Sequence, residues 1–309
     1  MPNNSWFTQY RFPPSACLSL GPSQGIVYAI SEKAIVKLPF QYPVNQASSV
    51  NEANEQIYMS LRSFALFKKE SSIYDILSKK PHPNLAQRLH SSQLSGIVLK
   101  RFKSVKQAWS YSRKETRLIW IQQLLSGLEW LEDLGYTHGD IKIDNIGIDE
   151  NDQLVIFDFG STRHRDDEDY WEQVLQDHFA LATCIHFLAS GIDPIAKARS
   201  LPELRQIINT LKTGHGVVSE AAKTFEDVIQ AGWTMIPRPA SSFSQLRKNF
   251  SHITIVDSGH QSNEGCTSEL LLACDDVVVI EKEERWLDEQ DYRAAWQSKG
   301  YETPFGIWD

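Results

Sequence analysis

The chain has 309 residues, a mass of 35.2 kDa and a formal charge of −8. With 41% hydrophobic and 23% charged residues it can bury a full core, and its acidic balance argues against general nucleic-acid binding, which needs surplus cations to neutralise phosphates. No run of about 18 apolar residues predicts a membrane span, Met1–Ser5 lack signal-peptide character, and the four cysteines include no Cys-x-x-Cys pair, so they read as reduced intracellular thiols, not as a zinc site.

Taken in chain order, Ile26–Ile30 and Ala34–Leu38, joined by Ser31-Glu32-Lys33, predict a hairpin. Pro39 and Pro43 interrupt the chain after the second strand. From about Asn51 to Leu77 the pattern turns helical, with Leu61, Leu66, Ile73, Ile76 and Leu77 near helical spacing. Pro81-His82-Pro83-Asn84 breaks it, and Gly96–Leu99 reads as a buried strand. Leu118, Ile121, Leu124, Leu125, Leu128 and Leu131 form one helical stripe ending near Gly135. Two short strands, Ile146–Ile148 and Leu154–Phe157, flank the polar turn Asp149–Asp152. Phe179–Leu188 predicts a buried helix, and helical patterns run on to about Phe250. A β-rich first part therefore gives way to a helical second part near Lys103–Gln107. Ser258–Gly265 has loop composition. Asp275–Ala294 holds eight acidic and three basic residues and reads as a solvated helix face.

The segment that carries chemistry is Tyr136-Thr137-His138-Gly139-Asp140-Ile141-Lys142-Ile143-Asp144-Asn145, followed by Phe157-Asp158-Phe159-Gly160. Phosphoryl transfer needs positioned cations and hard oxygen ligands. Asp158 and the Asn145 carboxamide can supply two such oxygens to Mg2+. Asp140 can accept the proton of an attacking hydroxyl, and Lys142 can lie along the transferring group. In residue types, order and intervening hairpin, these two segments resemble the H-R-D-L-x-x-x-x-N and D-F-G loops of the eukaryotic protein kinase family. Lys142 favours the Ser/Thr-type protein kinases over the small-molecule kinases.

The resemblance implies a two-lobed α+β fold, with a β-rich N-lobe, a mainly helical C-lobe and ATP in the cleft. It assigns the catalytic role to Asp140 and Lys142 and the metal to Asn145 and Asp158. Lys37 stands at the V-A-I-K position and would contact the α- and β-phosphates. Glu70 is its expected acidic partner, with Glu55 as a rival. Leu20–Val27 resembles the glycine-rich loop, so Gly21, Gly25 and Val27 are ATP-binding candidates, although Ser23 replaces the middle glycine and the loop is one residue short. Leu99, Lys100 and Phe102 occupy the place of the adenine-binding hinge. Asp177 resembles the buried aspartate that braces the catalytic loop. Gly232-Trp233 and Pro237-Arg238-Pro239, with Phe243 and Leu246, resemble the closing helices. The resemblance therefore covers about residues 18–246, giving an expected organisation of 1–17 extension, 18–103 N-lobe, 104–250 C-lobe and 251–309 acidic extension.

Two departures stand out. Gly139 replaces the arginine of H-R-D, so activation by loop phosphorylation is not expected. Asp158 and Asp177 are nineteen residues apart, shorter than the family's activation segment, and no A-P-E is present. In its place runs Arg163-His164-Arg165-Asp166-Asp167-Glu168-Asp169, read as a solvated loop, with Glu172 a substitute partner for Arg238. The expected function is an ATP- and Mg2+-dependent Ser/Thr protein kinase with a protein substrate, acting in cytoplasm or nucleus without membrane or nucleic-acid partners. A nucleotide-binding pseudokinase scaffold and a small-molecule kinase are the alternatives.

Overall fold

The structure, a computed structural model, describes residues 6–21, 25–44, 47–91, 94–236, 241–250 and 281–303. The expected loop at Ser258–Gly265, Arg238 and its pairing with Glu172, Cys266, Cys274, and the tip of the glycine-rich loop at Pro22-Ser23-Gln24 lie outside the described residues. The architecture is α+β and divides into two units. Described residues before 81, from 87 to 101 and from 281 onward form the first. Residues 81–86 and those from 102 to 250 form the second.

In the first unit, the short strands β1 (Phe7–Thr8) and β2 (Tyr10–Arg11) precede β3 (Cys17–Gly21), β4 (Gly25–Ala29), β5 (Ala34–Leu38) and β6 (Phe40–Gln41). The Ser31 hydroxyl closes the β4–β5 turn by accepting the Ala34 N–H at 3.1 Å. Helix α1 (Val50–Lys79) follows. Ser49 caps it by accepting the Glu52 N–H, and the Glu52 carboxylate accepts the N–H of Ser48, the residue before the cap, at 2.7 Å. Strands β7 (Arg88–Leu89) and β8 (Ile97–Lys100) complete an antiparallel sheet of order β3-β4-β5-β8-β7. Alternate residues, Ile26 and Tyr28 on β4 and Val36 and Leu38 on β5, are buried in its core, as period-2 patterning requires.

In the second unit, β9 (Lys103–Ser104) leads into α2 (Val105–Trp109) and α3 (Lys114–Asp133). The stripe Leu124, Leu125, Leu128 and Leu131 of α3 is buried. After β10 (Tyr136–Thr137), strands β11 (Ile146–Ile148) and β12 (Leu154–Ile156) form a hairpin whose partner on the other side is β9. Strand β13 (Arg163–His164) pairs back with β10. Helices α4 (Tyr170–Ser190), α5 (Leu201–Lys212), α6 (Glu226–Thr234) and α7 (Phe243–Phe250) complete it. Trp233 is fully buried and donates from its indole to the Thr183 hydroxyl at 3.1 Å, tying α6 to α4.

Three segment placements differ from the expected organisation. Residues 81–86 belong with the second unit because backbone bonds claim them: Ala86 N–H donates to Ile156 O and Ile156 N–H to Asn84 O, both at 2.9 Å, and Asn84 Nδ2 donates to Leu154 O at 2.8 Å. The described part of the N-terminal stretch lies in the first unit, where β1 pairs with β6. The acidic tail is likewise more than a solvated face. Its strand β14 (Glu281–Lys282) pairs with β2, and its helix α8 (Glu289–Gln297) buries Tyr292 and Trp296 in the first unit.

Candidate active site

The sequence-marked residues fall into two groups, one in each unit. In the first, Lys37 lies on β5 opposite Val27. Its Nζ is 2.6 Å from Glu70 Oε2, and both residues are buried, at 7% and 1% exposure. A buried ammonium is strongly destabilising unless paired, so this glutamate is obligatory to the fold as found. Glu55, the rival, is exposed on α1. Gly21 pairs with Gly25 at the mouth of the β3–β4 hairpin. Gly25 has φ +102°, and a Cβ there would come within 2.7 Å of the Leu38 carbonyl oxygen, so only glycine fits. Leu99 is buried on β8 opposite Ile35, and Lys100 lies opposite Ala34. The hinge candidates divide at this point. Arg101 N–H is already bonded to Lys33 O at 2.8 Å, whereas Phe102 belongs to the second unit, its ring stacked on Phe157 at 5.8 Å.

In the second unit, the β11–β12 hairpin does the positioning. Ile146 pairs with Ile156, and one step beyond, Phe157 N–H donates to Asn145 O at 3.1 Å. Asn145 and Asp158 are thereby brought to the same open end. Asn145 Nδ2 donates to Asp140 O at 2.8 Å and to Asp140 Oδ2 at 3.0 Å, leaving its Oδ1 as the atom for a cation. Lys142 Nζ lies 2.5 Å from Asp140 Oδ2, with 47% of its side chain exposed. Asp158 has φ +69° and ψ +71°, a left-handed conformation that costs a non-glycine residue on the order of 1 kcal/mol and persists only where the surroundings impose it.

Buried polar contacts hold this loop. His138 accepts the Asp140 N–H at Nδ1 and donates from Nε2 to Phe157 O at 3.2 Å. Burial depresses its pKa and keeps it neutral, against the opposing pull of Asp158 and the Phe157 carbonyl. Asp177, on α4, receives the N–H groups of His138 and Gly139 at 2.7 and 2.9 Å. Burial raises its pKa to about 7, and those two amides resist the rise. Gly139 has φ +80°, and a Cβ there would lie 2.1 Å from Ser161 O. The short segment after Asp158 thus passes directly over the residue that stands where H-R-D has arginine.

Residues 49–190 match the family model described as protein tyrosine and serine/threonine kinase. That segment is similar to a protein kinase domain. The match spans Glu70, Asp140, Lys142, Asn145 and Asp158 but not Gly21, Gly25, Val27 or Lys37. Among similar proteins, Serine/threonine-protein kinase KIN4 of Saccharomyces cerevisiae is 33% identical over 131 residues, 37% of this chain and 16% of that protein. The Fatty acyl-CoA synthetase and RNA processing-associated kinase 1 of the same organism is 34% identical over 106 residues, 30% of this chain and 12% of that protein. The Calcium/calmodulin-dependent protein kinase kinase cmkC of Emericella nidulans is 28% identical over 127 residues, 40% of this chain and 24% of that protein. The chain spans less than a third of the length of each of these relatives.

Kinase chemistry calls on a divalent cation, and the residues expected to hold it fit Mg2+ in donor type: the Asp158 carboxylate and the Asn145 carboxamide offer hard oxygens. Among the described residues no group of three or more His, Cys, Asp or Glu is placed to hold a metal ion. No helix among the described residues is long and apolar enough to cross a membrane.

Sequence reasoning missed Gln173, whose Nε2 donates to Gly139 O at 3.3 Å. It also missed Ser161 and the Thr137 hydroxyl, which accepts the Arg163 N–H at 3.1 Å. The charged run is exposed from Arg165 to Asp169, as a solvated loop requires, and it is tied to the fold at two points. Arg163 Nε pairs with Asp169 at 2.8 Å, and Arg165 N–H donates to Gly135 O at 2.9 Å.

Proposed function

We propose that the chain is an ATP- and Mg2+-dependent protein kinase of the Ser/Thr type, transferring the γ-phosphate to a hydroxyl of a protein acceptor. The observation that supports this reading is the contact of Asp140 with Lys142 and Asn145, together with the β11–β12 pairing and the Phe157 N–H bond to Asn145 O, one residue before Asp158. Asp140 orients the acceptor hydroxyl and takes up its proton. Lys142, within ion-pair distance of Asp140, neutralises charge developing on the transferred group. Lys37, held by Glu70, contacts the α- and β-phosphates, with Gly21, Gly25 and Val27 beside the nucleotide and Leu99, Lys100 and Phe102 at the adenine. Asn145 and Asp158 hold Mg2+, which supplies charge stabilisation to the phosphates when bound. The reaction requires ATP and Mg2+, and we place it inside the cell, in cytoplasm or nucleus.

The test is radiolabelled phosphate transfer from ATP to a generic protein acceptor, with Asp140→Asn and Asp158→Ala as controls. Wild type should transfer label, and Asp140→Asn should lower the rate by about 10² or more. Equal rates in wild type and Asp140→Asn would remove Asp140 from the chemistry. Nucleotide binding without transfer in wild type would replace the reading with a pseudokinase scaffold.

A further inference from the structure

Helix α1 is apolar on two sides. Its later turns bury Glu70, Ile73, Tyr74 and Leu77. Its earlier turns bury a separate stripe, Ala53, Ile57, Leu61 and Phe64, at spacings of four, four and three. The C-terminal segment covers this second stripe.

Tyr292 and Trp296, one helical turn apart on α8, are 0% and 1% exposed in one cluster with that stripe. The Tyr292 hydroxyl donates to Ser60 Oγ at 3.0 Å, and Ser60 Oγ in turn donates to Gln56 O at 2.8 Å, so the tail bonds into the backbone of α1. The Trp286 ring packs edge-on against Phe64 at 5.6 Å. Gln41 grips the tail backbone with both ends of its amide, donating to Leu287 O at 2.8 Å and accepting Leu287 N–H at 3.3 Å. Upstream, nearly buried Glu283 takes Arg11 at 3.0 Å and Arg285 at 2.8 Å, which hold its carboxyl far below the usual range. Glu289 reaches Lys68 at 2.8 Å. Lys68 precedes Glu70 by two residues, about 3 Å of helix rise. The tail therefore grips α1 from its first turns up to the turn that carries Glu70.

We propose that residues 281–303 position the Lys37–Glu70 pair. By clamping α1 they fix its rotation and axial setting, so Glu70 meets Lys37 without any signal from the shortened segment after Asp158. The clamp is internal to the chain, and Tyr292, Trp296 and Glu289 are its positioning residues. The role of the clamp in catalysis rests on the kinase reading above; its hold on α1 does not.

The experiment uses the full chain with Trp296→Ala, Tyr292→Phe and Glu289→Gln, and reads three quantities. These are the Kd for MgATP, the kcat and KM(ATP) of phosphate transfer, and hydrogen exchange of the α1 amides around Glu70. Trp296→Ala should raise KM(ATP) and the MgATP Kd about tenfold and speed exchange around Glu70. Tyr292→Phe and Glu289→Gln should do so two- to fivefold. A tail that only adds stability would lower the active fraction, and so the apparent kcat, with KM(ATP) and exchange near Glu70 unchanged in the folded protein; that result overturns the proposal. If Trp296→Ala does not fold, the two milder variants decide the question by the same readouts. Wild type that neither binds MgATP nor transfers phosphate would sink the kinase reading, while the exchange measurement would still report whether the tail holds α1.

Discussion

Replacing Gly139 by alanine or by the arginine usual at this position perturbs the catalytic loop where backbone meets backbone. The new Cβ would lie 2.1 Å from Ser161 O and 2.7 Å from Ser161 C, and neither atom belongs to a side chain that can swing aside. The φ of +80° adds a conformational cost of about 1–2 kcal/mol for an L-residue. Displacing a packed backbone segment adds about 1–3 kcal/mol. A combined loss of about 3 kcal/mol, at roughly 2–4 °C per kcal/mol for a domain of this size, lowers the thermal midpoint by on the order of 10 °C. Activity should fall further than stability explains, since the Gly139 N–H and C=O are both bonded, to Asp177 and Gln173, one residue from Asp140. A misplacement near 1 Å at such a position costs about 10² in rate. The assay pairs thermal melting with phosphate transfer at a temperature where every variant is folded. Gly139→Arg should be no better than Gly139→Ala, because the clash begins at Cβ. A Gly139→Ala protein with wild-type melting and wild-type rate would refute the Ser161–Gly139 contact.

Three further outcomes are expected. Glu70→Ala should cost about 3–5 kcal/mol in urea unfolding by stranding the Lys37 ammonium, whereas Lys37→Met combined with Glu70→Leu should recover most of that stability and yet transfer no phosphate. His178 should make the protein acid-sensitive. Burial holds its imidazole pKa at about 4, below the ordinary value near 6.5 of the unfolded chain, so its contribution is complete above pH 6.5 and is lost as pH falls toward 4. His178→Phe should therefore lose about 2 kcal/mol less than wild type on going from pH 7 to pH 5 in urea titrations. Asp177 runs the other way: its folded pKa of about 7 exceeds the unfolded value, so its contribution is complete only below the unfolded carboxyl pKa and is lost progressively as pH rises from there to about 7. Asp177→Ala should flatten the melting profile between about pH 4 and pH 7 and slow phosphate transfer, because the His138 and Gly139 amides lose their acceptor.

What the sequence reveals here depends on sequence distance. The β4–β5 hairpin, the stripe of α3 and the loop from His138 to Asn145 are local patterns, so periodicity and spacing expose them. Asn145 and Asp158 are also legible, because the polar turn Asp149–Asp152 announces the hairpin that joins them. Gly139 and Ser161 are each visible as residues, but their contact is not, since it depends on how β13 returns to β10. The tail misleads for a related reason. Its charge suggests a solvated helix, yet Tyr292 and Trp296 at i and i+4, with Trp286 upstream, form an aromatic stripe that signals a buried face. Charge counting averages over that stripe.

The departures from the family pattern form one consistent arrangement. An arginine at position 139 could not coexist with the Ser161 carbonyl where it lies, and a long segment after Asp158 would have no need to cross at that point. With glycine present, the short segment can lie directly on the catalytic loop. It is then fastened by β10–β13 pairing, by Arg163 to Asp169 and by the Thr137 hydroxyl, while Asp177 and Gln173 hold Gly139 from the α4 side. Each bond is modest alone, about 1 kcal/mol for a neutral pair, but all of them are already made in the unmodified chain. Order that a phosphate would otherwise have to induce is here supplied by covalent connectivity and a missing side chain. Phosphatase treatment should therefore leave both the melting temperature and the transfer rate unchanged, and a drop in either would show that a modified residue is still needed.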